Sequence, residues 1–434
     1  MTKNKLYRRI IGLYDFINEI SEYDYYNRAS SIAIENYFVF VQYLKENIDK
    51  LEAIHYNKLY KLINGHIIPN IRYIQRTETK NIPWSLISNI DEILKNELGS
   101  DCWLLFRPQW HFNYSVITED LISYLKETLY IFFPDDSGNI NTIFTNEKIH
   151  IFSFPFLEKT NVLLNSIIGH EIGHFYHKKW EQKDYCHFKE EQNKVLKKYY
   201  DNLSPENFID SYNSTEEGMK ILNGIYREII SDIYGYFLFG PSMIFSLFDL
   251  SEFESKQMLP SKENRYYPST KYRIRILMDY LFKNDTDVNN LLAEETECSK
   301  YLKKIIDEIN DYLNKEDDLL SYNSERKMEL ELFVSSLPDI VKKIKKSISK
   351  NYLKYNNTHR LFDNLGKSLP INELSYEPIE IMQIIFTGWI YFKKINDKYI
   401  GDEYVVNYQI LMRLLLKSLH SSFINKKYKD KDSK

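Results

Sequence analysis

Residues 170–174 read His-Glu-Ile-Gly-His. Histidines four residues apart stand on one face of a helix, so His170 and His174 can grip a single ion. Glu171 projects beside that pair, where it can take a proton from a water held by the metal. The chemistry these three residues suggest is hydrolysis by a Zn2+-activated water. Two histidines do not complete a zinc site. One source of the missing ligand is a His six residues beyond the second, following a Gly that turns the chain. Here those positions hold Trp180 and His177, so that arrangement is excluded. His177 itself sits one turn further along the same helix. The rise of about 1.5 Å per residue carries it away from the ion, and it is expected at the rim.

The other source is an acid on a later helix. The spacing predicts a helix over residues 214–240, opening on a capping box from Ser214 to Glu217. Its apolar stripe is Ile221, Ile225, Ile229, Ile233 and Tyr236, and Glu228 and Asp232 fall within or beside it. Two carboxylates facing a core are costly unless they are paired or bind a cation. A zinc ion answers this for Glu228 as third ligand. Asp232 can then accept a hydrogen bond from the free ring nitrogen of a ligand histidine. The alternative is that Arg227 pairs these acids on a half-exposed face.

The elements that must position these residues are mostly helical. Leu164, Ile168, Ile172 and Phe175 form one apolar stripe around the motif, and Leu163, Ile167, His170 and His174 the adjacent one. Gly173 costs helix stability, about 1 kcal/mol relative to Ala, and leaves room for another backbone or a substrate. Strand-like alternation is best at Lys148–Phe156, after a turn signal at residues 134–139. The predicted organisation is a helical region over 1–135, a core over 136–290, and a helical region over 291–434 with a disordered polar tail. A helix is expected over Lys271–Phe282, and residues 356–378 are expected to be mostly loop. The fold class is therefore mainly α with a small strand element.

Composition narrows the partners. The 57 basic and 61 acidic residues leave a net charge of −4, which argues against nucleic acid. The lysines at 342, 343, 345, 346 and 350 flank Ile340, Ile344 and Ile348 at helical spacing and read as one solvated face. Three scattered cysteines form neither a disulfide framework nor a cysteine zinc site. The uncharged run Ile233–Phe248 is short for a membrane span and is broken at Gly240-Pro241. It reads as a buried hairpin. The N-terminus lacks the apolar stretch of a signal peptide, so a cytoplasmic location is expected.

Taken together, four features resemble the gluzincin metallopeptidases, and within them the CAAX-protease-like branch and its soluble bacterial relatives. They are the His170–His174 motif, Glu228-Ile-Ile-Ser-Asp232, Gly240-Pro241, and Tyr267-Pro268 followed by Arg273-Ile274. The likeness covers residues 150–280. It implies a zincin-like catalytic core and a protein or peptide substrate. It also implies zinc held by His170, His174 and Glu228, Glu171 as general base, and Asp232 and Arg273 behind the ligands. In that branch the last element usually begins His-Pro. The departure here makes Tyr267, with Tyr266 beside it, the candidate donor to the oxyanion. The segment His150–Phe154 resembles the edge strand on which such enzymes align an extended peptide. Two other readings of the same residues are a helical interaction protein with a structural zinc site and a zinc hydrolase with a non-peptide substrate.

Overall fold

The computed structural model describes all residues except 24, 26, 76, 78–83, 110–113, 184, 204–207, 255–267, 316–326, 350, 354, 357, 371–379 and 433–434. It is mainly helical, as the apolar spacing predicts, with one three-stranded sheet among the described residues. The chain divides into two compact units, Met1–Thr160 and Asn161–Lys434.

In the first unit, helices α1 (Lys3–Ser21), α2 (Arg28–Asn47), α3 (Tyr56–Leu62), α4 (Ile68–Gln75), α5 (Trp84–Leu98), α6 (Leu121–Phe132) and α7 (Ser137–Ile143) accompany the sheet. The spacing of Leu6, Ile10, Leu13, Ile17 and Ile20 gives α1 one apolar face, and all five are buried. They share a core with Tyr37, Phe40 and Leu44 of α2 and Leu125 and Leu129 of α6. The strands are β1 (Cys102–Gln109), β2 (Ser115–Ile117) and β3 (Lys148–Pro155). β3 falls where the alternation places it, but it is the central strand. β1 pairs with it in parallel along its whole length, and β2 pairs antiparallel with Ile151–Ser153. The edge-strand expectation for His150–Phe154 is therefore corrected. A strand that is β-rich and buried on both faces is read from sequence equally as edge or centre, because pairing partners come from distant segments.

The second unit is all helix among the described residues. Its elements are α8 (Ile167–Lys183), α9 (Tyr185–Leu203), α10 (Phe208–Phe239), α11 (Ser242–Glu254), α12 (Thr270–Tyr280), α13 (Thr286–Ala293) and α14 (Glu297–Asn314), followed by α15 (Lys327–Ser347), α16 (Thr358–Gly366), α17 (Ile381–Lys398) and α18 (Gly401–Asp432). The 32-residue α10 is the axis, with α8, α9, α11, α12, α15 and α17 packed on it. Its Ile221, Ile225, Ile229 and Ile233 are at most 1% exposed. Burial of each such side chain is worth about 1.5–3 kcal/mol. Gly240, at φ +60°, makes the left-handed turn into α11, and the Ile233–Phe248 run is a buried helical hairpin. No described helix is long and apolar enough to cross a membrane.

Three further expectations change. The helix carrying Glu228 begins at Phe208, so Ser214 and Glu217 lie inside it and not at its start. Within residues 356–378, expected to be mostly loop, Thr358–Gly366 is helix α16 with Leu361, Phe362 and Leu365 buried, and 357 and 371–378 lie outside the described residues. The polar tail continues α18 to Asp432, since no Gly or Pro after Gly401 interrupts it. The lysines 342, 343, 345 and 346 are exposed on α15 while Ile340 and Ile344 are buried, as an amphipathic helix requires.

Candidate metal centre

Helix α8 is anchored before it begins. The turn Leu163–Ser166 is held by Trp389 of α17, whose Nε1–H donates to the Leu163 carbonyl at 3.2 Å. Ser246 of α11 donates to the same carbonyl at 3.1 Å. From there α8 crosses α10 backbone to backbone. A Cβ on Gly173 would stand 2.5 Å from Ser231 Cα, and one on Gly169 would stand 3.0 Å from Gly235 Cα. A Cβ on Gly235 would meet the His170 nitrogen at 2.9 Å. Small residues thus recur four apart on both helices, at 169 and 173 and at 231 and 235. They let two helices approach more closely than side chains normally allow.

That approach sets His170 and His174 against Glu228 and Asp232. The ligand atoms of His170, His174 and Glu228 all lie within 4.8 Å of one another, and the three can hold a metal ion. His170 and Glu228 are each 6% exposed, so the site is nearly dry. His170 Nε2 is 3.5 Å from Glu228 Oε2, and the two imidazoles stand nearly perpendicular with centroids 4.7 Å apart.

Each histidine is oriented through its other nitrogen. His170 Nδ1 lies 2.7 Å from Asp232 Oδ1. The Ser231 hydroxyl donates to the Arg227 carbonyl at 2.8 Å, so its oxygen is left to accept from His174 Nδ1–H at 3.0 Å. That leaves Nε2 of each ring as the atom available to a metal ion. Arg273 closes the arrangement from α12. Ser269 caps that helix by accepting from the Tyr272 N–H, which places Arg273 in its first turn. The guanidinium donates Nε to Asp232 Oδ2 and Nη2 to Asp232 Oδ1, both at 2.7 Å, and stands 3.8 Å from Glu228 Oε2.

The electrostatics follow from burial and these partners. Burial, the largest single influence, works to discharge His170, but the charge and hydrogen bond of Asp232 together with the hydrogen bond to Glu228 outweigh it and hold the pKa up to about 9. Burial and the neighbouring charge on His170 push His174 down to about 3. Burial opposes ionisation of Glu228 and Asp232, yet His170 and Arg273 keep both carboxyls below the usual range. The two carboxylates thus face one charged imidazole, one neutral imidazole and one guanidinium. A divalent cation at Nε2 of His170 competes with that ring's second proton, the ordinary coupling of metal binding to pH.

Glu171 is 6% exposed and its Oε2 lies 4.0 Å from His174 Nε2, beside the triad. Arg227 is mainly exposed, with its Nε 3.8 Å from Glu228 Oε1, so it flanks the acids without burying them. His177 is 6% exposed, contrary to the rim expectation. Seven residues after His170 it returns to the same helix face, and burial and Arg227 push its pKa down to about 4. Tyr267 and Tyr266 lie outside the described residues. Reasoning from the sequence missed Ser231, Gly169 and Gly235. The signal for all three was the four-residue repeat of small side chains on both helices.

No family model, curated protein or solved structure matches this chain.

Proposed function

We propose that this protein is a zinc-dependent metallopeptidase of gluzincin type, acting on a protein or peptide. The observation that carries the reading is the convergence of His170, His174 and Glu228, from two helices, with Glu171 beside them. The donor set suits zinc, which would be held by the imidazole nitrogens of His170 and His174 and the carboxylate of Glu228. Zinc bound there would supply Lewis acidity, polarising a carbonyl and acidifying a water. Glu171, with Oε2 4.0 Å from His174 Nε2, would take the proton of the attacking water and pass it to the leaving amine. Asp232 holds the His170 ring with Nδ1–H directed at itself, and Ser231 does the same for His174. Arg273 keeps Asp232 ionised and fixed in its buried place.

The test compares Glu171→Gln with His170→Ala for metal content and for cleavage of a peptide library. The reading requires about one zinc per chain in the native protein and in Glu171→Gln, and little in His170→Ala. It also requires cleavage by the native protein alone. Full zinc with no cleavage in either chain would favour a structural site. A Glu171-dependent activity restricted to non-peptide esters would move the substrate class.

A further inference from the structure

The second unit contains a separate cavity of about 530 Å³. None of the metal-site side chains lines it. It lies among the end of α10, the turn from α12 into α13, the end of α15 and residues 351–353. Its volume falls within the range of pockets that take small organic ligands, about 300–1,000 Å³. Apolar and aromatic walls come from Phe237, Tyr280, Leu281, Val341 and Ile348.

Two unlike charges line the same space. Asp287 stands in the first turn of α13, and Lys345 in the last turn of α15. Both are exposed, and neither has an ion-pair partner among the described residues. A third charge, Asp285, is already engaged. It accepts from the Tyr236 hydroxyl at 3.1 Å, the Tyr355 hydroxyl at 2.9 Å and the Val288 N–H at 3.2 Å. Asp285 therefore braces the wall, and Asp287 and Lys345 remain to meet a ligand.

We infer that this cavity binds a short peptide through its free termini, with the ammonium at Asp287, the carboxylate at Lys345 and an apolar side chain against Phe237 and Tyr280. A simple anion would meet Asp287 unfavourably, and a simple cation would meet Lys345 so. A zwitterion with an apolar body satisfies both. A volume of about 530 Å³ favours a short peptide over a single amino acid. Tyr236 follows Asp232 by four residues and Glu228 by eight, so one face of α10 serves both the cavity and the metal centre. The inference stands independently of the proposed hydrolytic activity.

The experiment is calorimetric titration of full-length Glu171→Gln protein with the dipeptide Phe-Leu. Its N-acetylated form and its C-terminal amide are run alongside. Either blocked form should bind about tenfold more weakly than Phe-Leu, the loss of one charge-assisted contact. Asp287→Asn should abolish the difference between Phe-Leu and its acetylated form, and Lys345→Met the difference between Phe-Leu and its amide. Both positions are exposed, so both variants should fold. Absence of binding overturns the proposal. So does binding that neither substitution alters, which would place the peptide elsewhere, including at the metal centre. Neither result bears on whether the metal centre hydrolyses peptides.

Discussion

His170 and Asp232, from different helices, are joined by a 2.7 Å contact between Nδ1 and Oδ1, and Asp232 is fully buried. The same carboxylate takes two hydrogen bonds from Arg273. One acid thus orients a candidate metal ligand and compensates a buried cation.

Asp232→Asn should therefore act on both. Metal affinity should fall about 10–100-fold, since the amide cannot hold the ring as the carboxylate does. Arg273, only 15% exposed, loses its directly hydrogen-bonded counter-charge and keeps only Glu228 at 3.8 Å, and stability should drop by about 3 kcal/mol. Chelator competition and denaturant unfolding would check the two effects. Unchanged metal affinity would remove Asp232 from the centre.

Ser231→Ala removes the acceptor that turns His174. Metal affinity should fall about tenfold while stability changes by about 1 kcal/mol. The diagnostic is the NMR pattern of the His174 ring, which should lose its single tautomer in the variant.

Gly173→Ala tests the helix crossing. Alanine is favoured over glycine in an open helix by about 1 kcal/mol. Here its Cβ would fall 2.5 Å from Ser231 Cα, so the helices must separate. Net destabilisation of about 1–3 kcal/mol should result, with weaker metal binding. Gly12→Ala is the control. It lies in α1 with nothing within 4 Å of its Cβ position, and should stabilise by about 0.5–1 kcal/mol. Opposite signs in thermal unfolding would bear out the close approach.

Asp91 of α5 sets a pH dependence in the first unit. Burial pushes its carboxyl up to about 7 against the pull of Lys95, and Oδ1 has no hydrogen-bond partner. Between its ordinary value near 3.8 and about 7, the unfolded chain is ionised there while the folded chain stays protonated. The folded state binds more protons, so this residue costs stability increasingly as pH rises through that window. Asp91→Asn should stabilise the unit by up to about 4 kcal/mol at pH 8 and leave it nearly unchanged at pH 4. Urea midpoints at those two pH values decide it, and equal shifts at both would refute the assignment.

Much of the candidate site was legible in the residues. Helical periodicity put His170 and His174 on one face and drew attention to Glu228 and Asp232, because acids inside an apolar stripe require a partner. The same periodicity established the mainly helical architecture. These are local properties, written in spacing along one chain segment. Tertiary packing decided what spacing cannot carry. It brought Ser231 behind His174, buried His177, put Arg273 on Asp232 and enclosed β3 between two partners. Each depends on which distant segment arrives opposite a given face. Glycines 169, 173 and 235 show the boundary. Their spacing was visible and Gly173 suggested room for a backbone or a substrate, but that the neighbour is a second helix backbone within 3.0 Å of the missing Cβ is decided by packing.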